Sequence, residues 1–221
     1  MKNSFALSFS HARVRSENLA RPCFGFRSRA ESLTLASRAG ILRTQSRRSR
    51  EFHALHPTLL TERLKLRHFV EADLDAYARL CADPETMRYI GLGTTLSRAD
   101  AWRSMAMVLG HWQLRGYGMW AVEEKNTGAF VGRIGLHYPE AWPVLEVGWL
   151  VDRNRWGQGL ATEGARAAMQ FAFERLGLSR ISSVIHPQNA ASIRVAEKLG
   201  MKRERTTQVR DVEVVIYSRD R

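Results

Sequence analysis

The stretch Arg155-Trp156-Gly157-Gln158-Gly159-Leu160-Ala161-Thr162-Glu163 follows a β-branched and aliphatic run, Leu145–Val151, and opens an apolar-periodic segment that continues to about Arg175. It therefore reads as the turn between a strand and a helix. Gly157 and Gly159 permit a tight turn and a close backbone approach to a ligand. The free N–H groups of the first helical turn, with the helix dipole, favour an anion such as a pyrophosphate. The stretch lacks the Lys-Ser/Thr of a P-loop. It also lacks the third glycine and following acidic residue of a dinucleotide fingerprint. A purely structural turn would look the same, so the stretch alone leaves both readings open.

Outward from this turn the chain alternates between the two periods. Upstream, Glu62–Phe69 alternates, with Leu64, Leu66 and His68 on one face. Asp73 can cap a helix carrying Leu74, Tyr77, Ala78 and Cys81, which ends before Pro84. Ser97 can cap a second helix from Arg98 to about Arg115, with Trp102, Met105, Met107, Leu109 and Trp112 as its expected buried stripe. Met119–Glu123, Phe130–Leu136 and Leu145–Val151 read as strands, the first two joined by a turn at Asn126-Thr127-Gly128. Downstream, Ile181–Ile185 reads as a strand, Asn189 starts a helix ended by Gly200, and Lys202–Thr207 and Val212–Tyr217 are short strands. The order β-αα-βββ-α-β-α-ββ predicts a mixed α/β sheet without internal repeats.

A second segment, Asn189-Ala190-Ala191-Ser192-Ile193-Arg194-Val195-Ala196-Glu197-Lys198-Leu199-Gly200-Met201, places an N-cap candidate at Asn189 and Ser192 one turn further along the same helix. By themselves these are capping and packing residues. Combined with the glycine turn, at this spacing and in this order, the pair resembles the Gcn5-related N-acetyltransferase (GNAT) superfamily. Within it, the chain is most similar to the ribosomal-protein alanine N-acetyltransferase (RimJ/RimL-like) type. Leu60–Arg67, Glu146-Val147-Gly148-Trp149, Trp156-Gly157-Gln158-Gly159 and Glu197–Met201 carry that likeness, which spans about residues 58–217.

The resemblance implies a GNAT fold, with a mostly antiparallel, splayed central sheet flanked by helices. It implies acetyl-CoA as co-substrate and no metal. The pantetheine arm would lie between the strand ending near Val151 and the strand ending near Ile185, paired with main-chain groups of Trp149, Leu150 and Val151. Trp156, Gly157, Gln158, Gly159, Leu160, Ala161 and Thr162 would form the pyrophosphate loop, and Asn189 and Ser192 the second cofactor motif. Two departures stand out. Trp156 occupies the position where the superfamily often has Gln or Arg, so Arg155 is the candidate for the positive charge. The superfamily's frequent proton-donating tyrosine falls at Ala196, so the donor role passes to Ser192, as the RimJ/RimL-like type suggests.

Attack of a primary amine on a thioester needs a base, a positioned amine and a stabilised leaving sulfur. Glu146, in a run of Val and Leu, is the leading base candidate. Burial would raise its pKa, and a structural hydrogen bond is the equally weighted alternative. Asp211 reads as a turn residue; His137 and His186 are further candidates, His186-Pro187 marking a strand end. Glu163 suits the dipole of the first helical turn, a stability role. Cys81 sits on an apolar face. Most of the six tryptophans should be core, with Trp142 able to line the acceptor cleft.

The expected activity is acetyl-CoA-dependent N-acetyl transfer to a primary amine, either a protein N-terminus or a small molecule. The alternative is a catalytically weak acyl-CoA-binding regulatory domain.

Charge divides the chain in two. Residues 1–50 carry 11 basic and 2 acidic residues, the rest 23 and 20, within a net charge of +12. Residues 1–56 thus form a basic leader and residues 57–221 a nearly neutral domain. The leader's Arg- and Ser-rich, acid-poor composition fits a disordered tail, a start codon placed too far upstream, an organelle transit peptide or, least well, a nucleic-acid-binding arm. His53 and His56 within it read as incidental. Hydrophobic residues at 44% exclude a wholly disordered chain. No run of 18 apolar residues suggests a membrane span, and two cysteines exclude a disulfide scaffold. A cytoplasmic monomer or homodimer is expected, without nucleic acid or membrane as a partner and with organelle targeting left to the leader.

Overall fold

Residues 56–221 are described by a computed structural model. The expectations for the leader up to residue 55, with that for His53, lie outside the described residues, as does the second cysteine, Cys23. Strand β2 (Leu64–Arg67) alternates as expected: Leu64 and Leu66 are fully buried, while Lys65 and Arg67 are only partly covered. It pairs with a two-residue strand β1 (Leu59–Leu60). His56 is buried rather than part of a loose linker: its ring lies 4.4 Å from that of His68 and 5.0 Å from that of Trp112.

Helix α1 (Leu74–Ala82) ends before Pro84, which opens a short helix α2 (Pro84–Met87) capped by Asp83. Helix α3 (Arg98–Arg115) is capped by Ser97, whose hydroxyl accepts the Asp100 N–H, and ends at Gly116 in the left-handed region. Its buried stripe differs from the expected one. Ala101, Met105, Val108 and Trp112 are buried, whereas Trp102 and Met107 are 50% and 43% exposed. The 4-3-4 spacing of the buried set keeps one face inward. Trp102 and Met107 each lie about 100° around the helix from a member of that set, on opposite flanks.

Strands β3 (Met119–Glu124), β4 (Phe130–His137) and β5 (Glu146–Val151) form an antiparallel meander. Helix α4 (Leu160–Glu174), strand β6 (Arg180–Ile185), helix α5 (Ala190–Lys198) and the hairpin β7 (Lys202–Val209) and β8 (Val212–Asp220) follow. The eight strands make one sheet in the order β1-β2-β3-β4-β5-β6-β8-β7. Every pairing is antiparallel except β5 with β6.

Helix α4 packs on the sheet face that carries Leu64 and Ile134. Gly164 makes this close approach possible, since a Cβ there would lie 2.6 Å from Ile134 Cδ1. Helix α1 lies over the other face, with Tyr77 edge-on to Phe130. No described helix is long and apolar enough to cross a membrane.

The parallel pair β5–β6 decides where a ligand can enter. It has a single register pair, Glu146 with Ser182, beyond which the strands separate. Side chains hold the separation point. The Ser183 hydroxyl donates to the Val147 carbonyl (2.6 Å), and the Glu146 carboxylate accepts the Val184 N–H (2.9 Å). These bonds satisfy main-chain groups that a continued ladder would have paired.

Candidate functional site

The glycine turn follows the far end of β5, beyond the stretch that has separated from β6. Gly157 (φ +76°) and Gly159 (φ +81°) both adopt the left-handed conformation that the tight turn requires. Gly159 serves as the N-cap of α4 and offers no side-chain cap. The N–H groups of Leu160, Ala161 and Thr162 precede the first helical hydrogen bond, from Glu163 N–H to the Gly159 carbonyl. Those three donors at the positive end of a 15-residue helix are free to receive an anion.

The turn is anchored from two sides. Trp156, half exposed rather than core, donates its indole N–H to the Val151 carbonyl (2.8 Å), tying the turn back to the end of β5. Arg63 donates to the Gln158 carbonyl (2.9 Å) and to Glu163 Oε2 (2.7 Å). Glu163 also accepts from the Arg63 main chain (2.8 Å) and the Thr61 hydroxyl (2.5 Å). Burial pushes the Glu163 carboxyl up, but the Thr61 and Arg63 donors outweigh it and hold the group below its ordinary value. Glu163 therefore clamps α4 to the start of β2, a larger role than facing the dipole. The sequence contains Thr61 and Arg63 in a stretch that marks the fold, yet nothing local to them discloses this clamp. Arg155, the candidate for positive charge, is paired with Glu124 (3.1 Å).

Asn189 caps α5 as expected, its side chain accepting the Ser192 N–H (3.1 Å). The Ser192 hydroxyl accepts the indole N–H of Trp149 (3.2 Å), so β5 and α5 meet across the gap between β5 and β6. Because the Ser192 oxygen takes this hydrogen bond, its own O–H remains available to donate. Ala196, fully buried one turn later, has no group to transfer a proton.

Glu146 and Trp149 are three residues apart on one strand, so their side chains leave on opposite faces. Glu146 faces the α1 side. Its carboxyl is buried and pushed up to about 7. Burial drives the shift, opposed by the Val184 N–H, the charge of Arg133 and the nearby Trp142 indole. It therefore sits in the structural hydrogen bond and also has the raised pKa suited to a base near neutrality. His137 is its register partner on β4. Burial, then the charges of Arg133 and His111, push its imidazole down to about 3, so it stays neutral and is a weak base. His186 Nδ1 accepts the Gln188 N–H at the end of β6 and stacks near Tyr89, as a strand terminator would. Asp211 lies in the β7–β8 turn with φ +66°. Cys81 is buried in the core.

Trp142 packs edge-on against His137 (5.1 Å) and lines a cavity of about 220 Å³ between the Glu140–Pro143 loop and the β7–β8 hairpin tip. Arg133, which was not foreseen as a site residue, projects from β4 on the face of Glu146 and His137. The sequence signal for it is a lone charge inside the apolar run Val131–Leu136.

The family model described as "Acetyltransferase (GNAT) domain" matches residues 63–202, more than half of the chain. The uncharacterized protein YkkB of Bacillus subtilis is 32% identical over 169 residues, covering 73% of this chain and 94% of that protein. An acetyltransferase from Agrobacterium tumefaciens superposes with a TM-score of 0.68 at 33% identity, over 75% of this chain and 95% of that one. The ribosomal-protein acetyltransferase RimL, solved in complex with coenzyme A, superposes with a TM-score of 0.63 at 19% identity, over 74% and 98%, a likeness of fold alone. With a family match over most of the folded region, and with the glycine turn, splayed sheet and Asn-capped helix in place, the chain belongs to the GNAT family of N-acetyltransferases.

Proposed function

We propose that the protein transfers the acetyl group of acetyl-CoA directly to a primary amine, on a protein N-terminus or a small molecule. One observation carries the reading. Trp149, bonded to Ser192 of α5, and Glu146, beside His137 of β4, leave β5 on opposite faces and flank the same opening between β5 and β6.

The residues present fit the co-substrate. The uncapped N–H groups of Leu160, Ala161 and Thr162 suit a pyrophosphate. Beyond Glu146, the edge of β5 facing β6 has no ladder partner, so main-chain groups of Trp149 and the Val151 N–H can take an extended amide-bearing arm, whereas the Leu150 carbonyl points toward β4. The Val151 carbonyl already accepts from Trp156 and contributes less. Bound acetyl-CoA would supply the thioester carbonyl that the amine attacks.

Glu146 accepts the proton of the attacking amine, directly or through one water. Ser192 donates its O–H to the departing sulfur as the carbon–sulfur bond breaks, held in orientation by the Trp149 indole, and regains a proton from solvent as Glu146 releases the one it took. The products are the N-acetylated amine and the free thiol of coenzyme A. No enzyme nucleophile is needed, and Cys81 is buried away from the site.

Release of free thiol from acetyl-CoA across a panel of amines tests the proposal. Turnover with at least one amine is expected. Tight acetyl-CoA binding without thiol release for any amine would replace the reading with that of an acyl-CoA-binding regulatory domain. Ser192→Ala should lower kcat about tenfold while leaving the KM for acetyl-CoA nearly unchanged. An unchanged kcat removes Ser192 from the mechanism.

A further inference from the structure

Apart from Arg133, the arginines of the strands have polar partners: Arg203 donates to the Thr206 hydroxyl and Arg219 to the Leu199 carbonyl, and several arginines on and beside the sheet form ion pairs. Arg67 binds Asp73 and Glu123, Arg63 binds Glu163, Arg155 binds Glu124, and Arg180 binds Glu204 and Asp220. Arg133 differs. Its Nε is buried and has no hydrogen-bond partner, and its guanidinium enters no ion pair among the described residues. Arg133 is partly exposed, but a guanidinium whose Nε is buried without a partner carries a desolvation cost that is recovered when a carboxylate binds its planar fork.

The register shows where that carboxylate would lie. Arg133 pairs with Leu150, Gly135 with Gly148, and His137 with Glu146, so all of these positions share one face of the sheet. Gly135 and Gly148 have no side chains between Arg133 and the Glu146–His137 pair, and the Met119 methyl lies over Gly148. The Arg133 charge is felt at Tyr77, Cys81, His137 and Glu146, which locates it between α1 and this face. A second donor lies in the same neighbourhood. Trp142 Nε1 is buried near the Glu146 carboxyl without a well-formed hydrogen bond to it, and the Trp142 ring joins His137 to the 220 Å³ cavity, whose far wall includes Arg210. Glu146 does not satisfy Arg133: its carboxylate is engaged by Val184, and its raised pKa is the reverse of what a direct ion pair would produce. Unsatisfied donors gathered beside a base-type carboxyl select for a ligand that brings an acceptor of its own.

We propose that Arg133 determines acceptor specificity, and that the preferred acceptor is a small amine that also bears a carboxylate, an amino-acid-type zwitterion. The ammonium end faces Glu146 and the carboxylate end faces the Arg133 fork, with the Trp142 N–H on its flank. This inference rests on the acetyl-transfer reading above.

The test compares matched acceptors: glycine, β-alanine and γ-aminobutyrate, each against its carboxamide and the plain alkylamine of equal length. Wild-type protein should favour at least one carboxylate over its carboxamide by tenfold or more in kcat/KM. Arg133→Met should erase that ratio by raising the KM for the carboxylate, with the KM for acetyl-CoA unchanged. Arg133→Lys should restore part of it, since charge returns without the fork. If the carboxamides are used as well as the carboxylates, or if Arg133→Met keeps the ratio, the proposal is overturned. Should Arg133→Met fail to fold by its thermal transition, Arg133→Lys and Arg133→Gln give the same comparison. Calorimetric binding of the same compounds to protein saturated with coenzyme A separates the two readings. Arg133-dependent carboxylate binding without any turnover would overturn acetyl transfer and keep this inference; turnover without carboxylate preference would do the opposite.

Discussion

On one side of β5, the turn from Trp156 to Thr162 and the first turn of α4 consist of neighbours in sequence, and they act through backbone N–H groups. On the other side, Arg133, His137, Trp142 and Glu146 come from two strands and a loop, and they act through side chains that meet only because of strand register. The carboxylates show the contrast most clearly. Glu163, on the turn side, is partly solvated, surrounded by donors and held below its ordinary value. Glu146, on the other side, is buried, has one main-chain donor, and is pushed up to about 7. A backbone site of contiguous residues tolerates exposure. A side-chain site of assembled residues gains its reactivity from burial.

The largest expected effect tests the buried side. Glu146→Gln keeps an oxygen for the Val184 N–H but cannot take a proton. A loss of about a hundredfold in kcat is expected, within the range for general-base removal. Wild-type kcat should rise with pH through about 7 and then level off, and the variant should lose that rising limb. The same group has a stability signature. The folded state holds the Glu146 proton up to about 7, against an ordinary value of 4.5. Stability should therefore decline as pH rises between those values, and Glu146→Gln should flatten the decline in denaturant titrations.

Next in size is Gly159→Ala, which places a Cβ at φ +81°. It should destabilise the fold by about 1–2 kcal/mol and raise the KM for acetyl-CoA more than it lowers kcat. A KM unchanged in a folded variant would remove the turn from cofactor binding. Glu163→Gln should cost less, about 1 kcal/mol, because Arg63 is nearly half exposed and the pair is screened. Its pH dependence has the opposite sign to that of Glu146. Its stabilisation is present above the ordinary carboxylate value and is lost as pH falls through the lowered one. A pH series of melting temperatures for wild type and variant would show this, and wild type should also be the more salt-sensitive protein.

The smallest expected effect is a gain. Arg210 and Asp211, both with positive φ, form the two-residue turn of the β7–β8 hairpin, where Asn-Gly is favoured. The double change to Asn and Gly should raise stability by up to about 1 kcal/mol.

Sequence periodicity sufficed for the strand and helix order, because Leu64 and Leu66, the Ser97 and Asn189 caps and the paired glycines are local signals. It could not show which residues of α3 face inward, since Trp102 and Met107 are as apolar as the buried set and differ only in helical phase. The turn and the Asn189–Ser192 pair were legible for the same reason as the strands. The Trp149–Ser192 contact, the Thr61–Arg63–Glu163 clamp and the isolation of Arg133 depend on partners 43, 100 or more residues away, or on the absence of one. No local pattern encodes them.

The hydrogen bond from the Val184 N–H to Glu146 has a spectroscopic consequence. A backbone amide reports the charge of the group it donates to, and here one amide of β6 is bonded to the carboxyl that titrates near 7. The Val184 cross-peak in an ¹H–¹⁵N spectrum should shift downfield in its proton dimension as Glu146 ionises. Each bound cofactor or acceptor that alters the charge around Glu146 should move the midpoint of that titration. The opening of the sheet thus contains a main-chain reporter of its own base, readable at equilibrium and without any turnover.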